Sequence, residues 1–278
     1  MREALPTLCE ALDAFLDDVG IAKAPLTRTA YAGRLRVLRD LSDTECPLSR
    51  LTPPTCRALI RDHMAKYAPA TVNTFCGALS SFGKYCAEQG WLVENPMRNI
   101  SMPRVPEKPH RFLSRAQLQH VLGTAEEMDA RVHTGPRSVI SLRTAVLLLS
   151  VGLRAAEACS VKRSDVADGL ILVRGKGSRY RYVPCPEGLD LSGEGRFLPC
   201  TTRTLGTQIR ALGKAARVPL HPHLFRHSWA SPGVGEMDLG TVQEVGGWAS
   251  DKMVKHYSRS VYAKAAALRA GKMRLFDP

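Results

Sequence analysis

The chain has no CxxC pair among its eight cysteines, Cys9, Cys46, Cys56, Cys76, Cys86, Cys159, Cys185 and Cys200. That removes the ligand spacing of a zinc site and the dithiol of a thioredoxin-like motif. The reading is reduced thiols, several of them inside helical patterns and acting as small buried apolar groups. No GxxxxGK[ST] loop occurs, so the P-loop cradle for a nucleoside triphosphate is lacking. Internal repeats and low-complexity tracts are also lacking. The most apolar run, Val139 to Leu153, is interrupted by Ser141, Arg143, Thr144, Ser150 and Gly152. It is too short and too polar to span a bilayer. The opening MREALPTLCEALDAF is an amphipathic helix pattern carrying acids, not a signal peptide. The expectation is a soluble, cytoplasmic protein.

What is present is positive charge. The 278 residues hold 39 Lys and Arg against 26 Asp and Glu, a net of +13, with a pI near 9.6. Such a balance points to a polyanionic partner, most simply nucleic acid. The charge is unevenly placed. Residues 1–108 carry 14 basic and 12 acidic side chains, a net of +2, whereas residues 109–278 carry 25 and 14, a net of +11. Between the halves, Pro103, Pro106 and Pro109 interrupt a stretch without apolar periodicity, which reads as a linker over 102–112. The expected division is a helical domain over 1–101 and a second domain over 113–278.

The first half reads as four helices. Leu5, Leu8, Leu12, Phe15, Leu16 and Val19 recur at helical spacing, as do Tyr31, Leu35, Leu38 and Leu41. Thr52-Pro53-Pro54 is a cap followed by proline and opens a helix to about Tyr67. A fourth spans 70–88 and stops before Gly90. The second half is mixed. Ser114 with Gln117 forms a capping box, and 138–151 reads as a buried helix. Leu170–Arg174 and Tyr180–Pro184 flank Gly175-Lys176-Gly177-Ser178, the pattern of a hairpin. A third short strand is expected at Arg196–Leu198. Helices follow over about 202–216, 223–231, 239–246, 250–258 and 261–270. The fold class is therefore mostly α with a small β-sheet in the second domain.

Few residues here can do chemistry, and each has an ordinary alternative. Arg154 follows Gly152 at the end of a buried helix and can simply pair with Glu157. Lys176 sits between two glycines, where backbone can approach another molecule, but a turn lysine is commonly just solvated. His223 and Arg226 share a helix face and suit phosphate binding and proton transfer near neutral pH. His221, His223 and His227 crowd this run, but no carboxylate or cysteine lies close by in sequence, so no metal site is expected. Trp248 after Gly246-Gly247 and Tyr257 on a short helix read singly as packing residues.

Taken in order, Arg154, Lys176, His223, Arg226, Trp248 and Tyr257 resemble the catalytic signature of the tyrosine recombinase (phage integrase) family, of the two-domain Cre/Xer-like type. The strings are GLRAAE, the GKG hairpin, HLFRHSWAS and VQEVGGWASDKMVKHY, and the resemblance runs from about Thr27 to the C-terminus. It implies a SAM-like helical core-binding domain and a mixed α/β catalytic domain that clamp double-stranded DNA. It implies that Tyr257 attacks a scissile phosphate, forming a 3′-phosphotyrosyl bond and freeing a 5′-hydroxyl. Arg154 and Arg226 then neutralise the non-bridging oxygens, Lys176 protonates the leaving oxygen, and His223 assists proton transfer at Tyr257. Trp248 stands where many relatives carry histidine and can donate one hydrogen bond without shuttling a proton. Glu157 orients these groups. The covalent bond conserves the phosphodiester energy, so no cofactor is implied.

The resemblance further implies inverted half-sites, a homotetramer joined through the C-terminal tail, and a Holliday junction intermediate. The GGW and MVxxY wording is closer to phage and mobile-element members than to chromosomal ones. Arg34, Arg36, Lys84, Arg179 and Arg181 are candidates for phosphate contacts outside the site. Nothing resembles the arm-binding domain of the larger integrases. Two departures stand out. Ser231-Pro232-Gly233-Val234-Gly235 predicts a break in the helix that follows HxxRH, and the segment is about one residue short. Two alternatives stay open: a type IB topoisomerase-like relaxing enzyme, and a DNA-binding relative that cannot cleave.

Overall fold

The computed structural model describes residues 5–40, 46–106, 111–131, 140–175, 179–236, 238–248 and 250. The chain divides into two compact units, Met1–Glu107 and Lys108–Pro278.

The first unit is helical. α1 (Leu8–Ala22) starts on a reciprocal cap, in which Glu10 N–H donates to Thr7 Oγ1 at 3.2 Å and Thr7 N–H donates to Glu10 Oε2 at 2.8 Å. α2 (Pro25–Asp40) buries only Leu35 and Leu38, so most of its length faces solvent. α3 (Pro53–Lys66) begins as its sequence requires, with the Thr52 hydroxyl accepting from Thr55 N–H and Pro53 in the first turn. α4 (Pro69–Glu88) is the longest helix of the unit and supplies Val72, Phe75, Cys76, Leu79, Phe82 and Cys86 to the core, against the Leu12–Phe15–Leu16 stripe of α1. Gly90, at φ +73°, takes the left-handed turn that ends it. Burial pushes the thiols of Cys56 and Cys86 up to about 11 and about 12, so they behave as apolar fillers.

In the second unit the Ser114–Gln117 box opens α5 (Arg115–Arg131), with Ser114 N–H donating to Gln117 Oε1 and Gln117 N–H to Ser114 Oγ. α6 (Leu142–Ser150) is shorter than the 138–151 expected from its apolar run; residues 132–139 lie outside those described. It buries Leu142, Ala145, Val146, Leu147, Leu148 and Leu149 and forms the centre of the core. α7 (Ala155–Ser160) follows. Strands β1 (Val166–Ala167), β2 (Leu170–Arg174) and β3 (Tyr180–Pro184) make an antiparallel sheet in the order β1-β2-β3, with Ile171 opposite Val183. α8 (Thr202–Ala215), α9 (Pro222–Glu236) and α10 (Leu239–Gly246) complete the described unit. The fold is mostly α with a small sheet, as the pattern predicted.

Two expectations need correction. The third strand is β1, and Arg196 forms only an isolated bridge with Lys162. The break expected at Ser231-Pro232-Gly233-Val234-Gly235 does not occur, because α9 runs through to Glu236. An internal proline costs a helix about 3 kcal/mol. Here α9 buries Leu224, Phe225 and Ala230 and packs on α6 and α10, and that packing outweighs the local penalty. The helices expected over 250–258 and 261–270 lie outside the described residues.

Candidate active site

The site forms where the ends of α7, α9 and α10 meet β3. Its first element is the turn after α6. Gly152 has φ +86°, and a Cβ there would fall 2.9 Å from the Trp229 ring, so only glycine fits on both counts. The turn delivers Arg154 to the N-terminus of α7, half-buried.

Glu157, one turn on, is buried and accepts four hydrogen bonds. Arg154 N–H donates to Oε2 at 2.8 Å and Arg154 Nη1 to Oε1 at 2.7 Å. Arg181 closes a bidentate pair on the same carboxylate, Nη1 to Oε1 at 2.9 Å and Nη2 to Oε2 at 2.8 Å. Burial by itself raises this carboxyl's pKa. The hydrogen bonds and charge of Arg181 and Arg154 outweigh burial and hold it at about 2.

α9 starts at a proline, and the preceding His221 caps it: Leu224 N–H donates to His221 Nδ1 at 3.1 Å. The cap sets the helix so that His223 and Arg226 lie one turn apart. Arg226 is buried, at 4% exposure. Its Nη1 donates to the Gly152 carbonyl and its Nη2 to the Gly246 carbonyl. His223 keeps an exposed edge. Loss of water around the ring, then the charges of Arg226, His221 and Arg154, push its imidazole below the ordinary value of 6.5. It is therefore a neutral base at pH 7.

α10 ends in the Gly246-Gly247-Trp248 turn, and the two glycines have different reasons. A Cβ on Gly246 would run into the Trp248 ring. Gly247 adopts φ +63°, the left-handed cap of α10. The Gly247 carbonyl accepts from Arg154 Nη2 at 2.7 Å. Both candidate phosphate-binding arginines thus hold one turn, Arg154 through Gly247 and Arg226 through Gly246. Trp248 carries the Arg226 guanidinium 4.0 Å from its ring centroid and stacks on Trp229 at 6.1 Å.

The structure therefore brings together Arg154, Glu157, His223, Arg226 and Trp248. Lys176 and Tyr257 lie outside the described residues. Arg34, Arg36 and Arg179 are exposed, and Lys84 is exposed beside Glu88, 3.4 Å away. Arg181 is a correction. Expected at the surface, it is 9% exposed, and its charge is spent on Glu157. The signal was in the strand period: residues alternate along β3, so Arg181 shares the inward face of Val183 while Tyr180 and Tyr182 point out. Trp229 is the residue that the sequence reading left unassigned. Its hint was a tryptophan three residues after Arg226. Among the described residues no group of three His, Cys, Asp or Glu side chains is placed to hold a metal ion, and no helix is long and apolar enough to cross a membrane.

Comparison with known proteins decides the family. The chain is 30% identical over 227 residues to the tyrosine recombinase XerC of Bacillus pumilus (strain SAFR-032), a match covering 70% of this chain and 72% of that one. The chain belongs to the tyrosine recombinase family. Residues 196–264 match the model of the phage integrase family, a span holding four of the six signature residues, His223, Arg226, Trp248 and Tyr257. The tyrosine recombinase XerC of Bacillus licheniformis is 29% identical over 247 residues, covering 77% of this recombinase and 79% of the relative. The fold matches a lambda integrase (75-356) dimer bound to a COC' core site, with TM-score 0.71 at 18% identity over 89% of this chain and 97% of that one. It also matches the Tn1549 transposon integrase in complex with transposon right end DNA, with TM-score 0.71 at 18% identity over 95% and 100%.

Proposed function

We propose that this recombinase cleaves and rejoins double-stranded DNA at a specific site, with Tyr257 as nucleophile. The attack gives a 3′-phosphotyrosyl intermediate and a free 5′-hydroxyl, which rejoins a partner strand through a Holliday junction. The observation that carries the reading is the convergence of Arg154 and Arg226 on the Gly246-Gly247 turn beside Trp248. Two guanidiniums fixed to one turn are preorganised for the two non-bridging oxygens of a phosphate.

The remaining roles follow from chemistry. His223, neutral at pH 7, takes the Tyr257 proton in cleavage and returns it in rejoining. Trp248 donates its indole N–H to the phosphate. Lys176 protonates the departing 5′ oxygen. Residues 1–101 bind the half-site, 102–112 link, and 113–278 carry the catalysis, with the excess charge of the second half following the flanking backbone. Arg34, Arg36, Lys84 and Arg179 extend that contact. Two protomers occupy inverted half-sites, and two such pairs form a tetramer through the C-terminal tail.

The GGW and MVxxY wording favours a phage or mobile-element role. The XerC name of the relatives favours a Xer-type role as the second reading. Exchange between sites flanking its own gene supports the first; exchange confined to a site elsewhere in the chromosome supports the second. The test of the activity itself is a nicked duplex carrying the half-site, selected from random duplexes by binding. The wild-type protein traps a covalent complex, and Tyr257→Phe does not. If Tyr257→Phe traps it equally, another residue is the nucleophile.

A further inference from the structure

Arg181 has more partners than a salt bridge needs. It spans three segments that each lead to a different part of the site. Its two terminal nitrogens hold Glu157, which in turn holds the backbone and guanidinium of Arg154 on α7. Its Nε donates to the Val245 carbonyl at 2.8 Å, in the last turn of α10. Its aliphatic stem packs where a Cβ on Gly247 would lie, 3.0 Å from Cδ, in the turn that presents Trp248. On the hairpin, Gly175 accommodates the pair closely. A Cβ there would sit 3.2 Å from Arg181 Nη1 and 3.6 Å from Glu157 Oε1, and Gly175 N–H closes onto the Arg179 carbonyl at 2.7 Å.

We propose that Arg181 is a positioning residue for cleavage: it locks α7, the end of α10 and the β2–β3 hairpin into one register, so that Arg154 and Trp248 meet the same phosphate. It makes no phosphate contact of its own, since a carboxylate, Glu157, neutralises its charge and takes both terminal nitrogens while Nε is held by the Val245 carbonyl; Arg226, by contrast, donates its two terminal nitrogens to neutral carbonyls. The planar fork is what the position demands. A lysine keeps the charge but offers a point donor in place of two parallel bonds and the Nε bond to Val245. The inference rests on the recombinase reading above and names the part of the machinery that holds its geometry.

The test uses the full-length protein and a nicked duplex carrying its half-site, and it separates binding from cleavage. For Arg181→Lys, half-site affinity stays within about twofold, because the arginine makes no phosphate contact. The first-order cleavage constant at saturating DNA falls by about 100-fold, the scale of a 1 Å misplacement of reacting groups. In the Glu157→Gln background Arg181→Lys costs less than it does alone, because the shared pair is already broken and only the Val245 and Gly247 contacts remain to be lost. Gly175→Ala is the second variant. It keeps every charge and crowds Nη1, so cleavage slows several-fold even on a duplex with a bridging 5′ sulfur, where the neighbouring Lys176 is not needed, while binding and the thermal melt stay near wild type; it decides the matter if Arg181→Lys melts below the assay temperature. Wild-type cleavage constants in the folded variants overturn the positioning role while leaving the recombinase reading intact. So does a loss confined to half-site affinity. A wild-type protein that binds the duplex and never forms the adduct refutes the recombinase reading instead, and the positioning role with it.

Discussion

Trp248 stacks on Trp229 with ring centroids 6.1 Å apart and planes 18° from parallel. Trp229 in turn rests on Gly152, where a Cβ would fall 2.9 Å from its ring. Two signature strings far apart in sequence, GLRAAE and VQEVGGWAS, thus touch through an indole that belongs to neither. Gly152→Ala meets both a backbone at φ +86° and that ring. The variant is destabilised by about 1–3 kcal/mol, and its cleavage drops more than its half-site affinity, because Trp229 shifts Trp248. Thermal melts and half-site binding measured together check it.

Glu157 sets the acid stability of the second unit. Its pKa is lowered from an unfolded value near 4.5 to about 2. A depressed carboxyl stabilises the fold above the unfolded pKa, and that contribution is lost as pH falls from about 4.5 through about 2. Wild-type stability should therefore decline in this window by something on the order of 3 kcal/mol. Glu157→Gln makes the decline shallower, leaving the part due to carboxyls such as Asp190 and Asp238, which hydrogen bonds also hold below their ordinary values. At pH 7 it is less stable by about 3–5 kcal/mol, because Arg181 is left buried without its anion. Denaturant melts of both proteins from pH 7 to pH 2 give the two curves.

With His223 as the proposed base, the acid limb of cleavage is expected to follow its imidazole. Lost hydration and the neighbouring Arg226, His221 and Arg154 charges push its pKa below 6.5, so the neutral imidazole persists into mildly acid solution. The cleavage rate should hold as pH falls through 6.5 and decline only below it. Arg154→Ala removes one of those charges and moves the decline to higher pH. A rate profile between pH 5 and 8 on the nicked duplex reads the shift.

Lys176 is tested through its leaving group. Lys176→Ala slows cleavage of an ordinary duplex because the 5′ oxygen leaves unprotonated. A duplex whose bridging 5′ oxygen is replaced by sulfur needs no acid, and the variant should cleave it at a rate near wild type. A deficit equal on both substrates places the acid elsewhere.

Much of this was legible beforehand, and the exceptions share a cause. Thr52-Pro53, Ser114 with Gln117, and the strands Leu170–Arg174 and Tyr180–Pro184 are specified by contacts within a few residues, so local pattern predicts them. Pro232 failed as a predictor because its penalty is local while α9 is held by burial against α6 and α10. Arg181 escapes a reading that equates charge with exposure, although its strand position puts it on the same inward face as Val183. Gly246 and Gly247 are adjacent and identical in sequence, yet one is required by an indole ring and the other by a left-handed cap. Trp229 reaches Gly152 and Trp248, both more than 15 residues away, and no local pattern contains such contacts.

The central claim, that Tyr257 carries the DNA strand, is tested most directly by isolating the trapped complex and sequencing its crosslinked peptide. The account predicts one nucleotide-bearing peptide, modified at Tyr257 and joined to the 3′ end of the cleaved strand. A link to any other residue, or to a 5′ end, contradicts it.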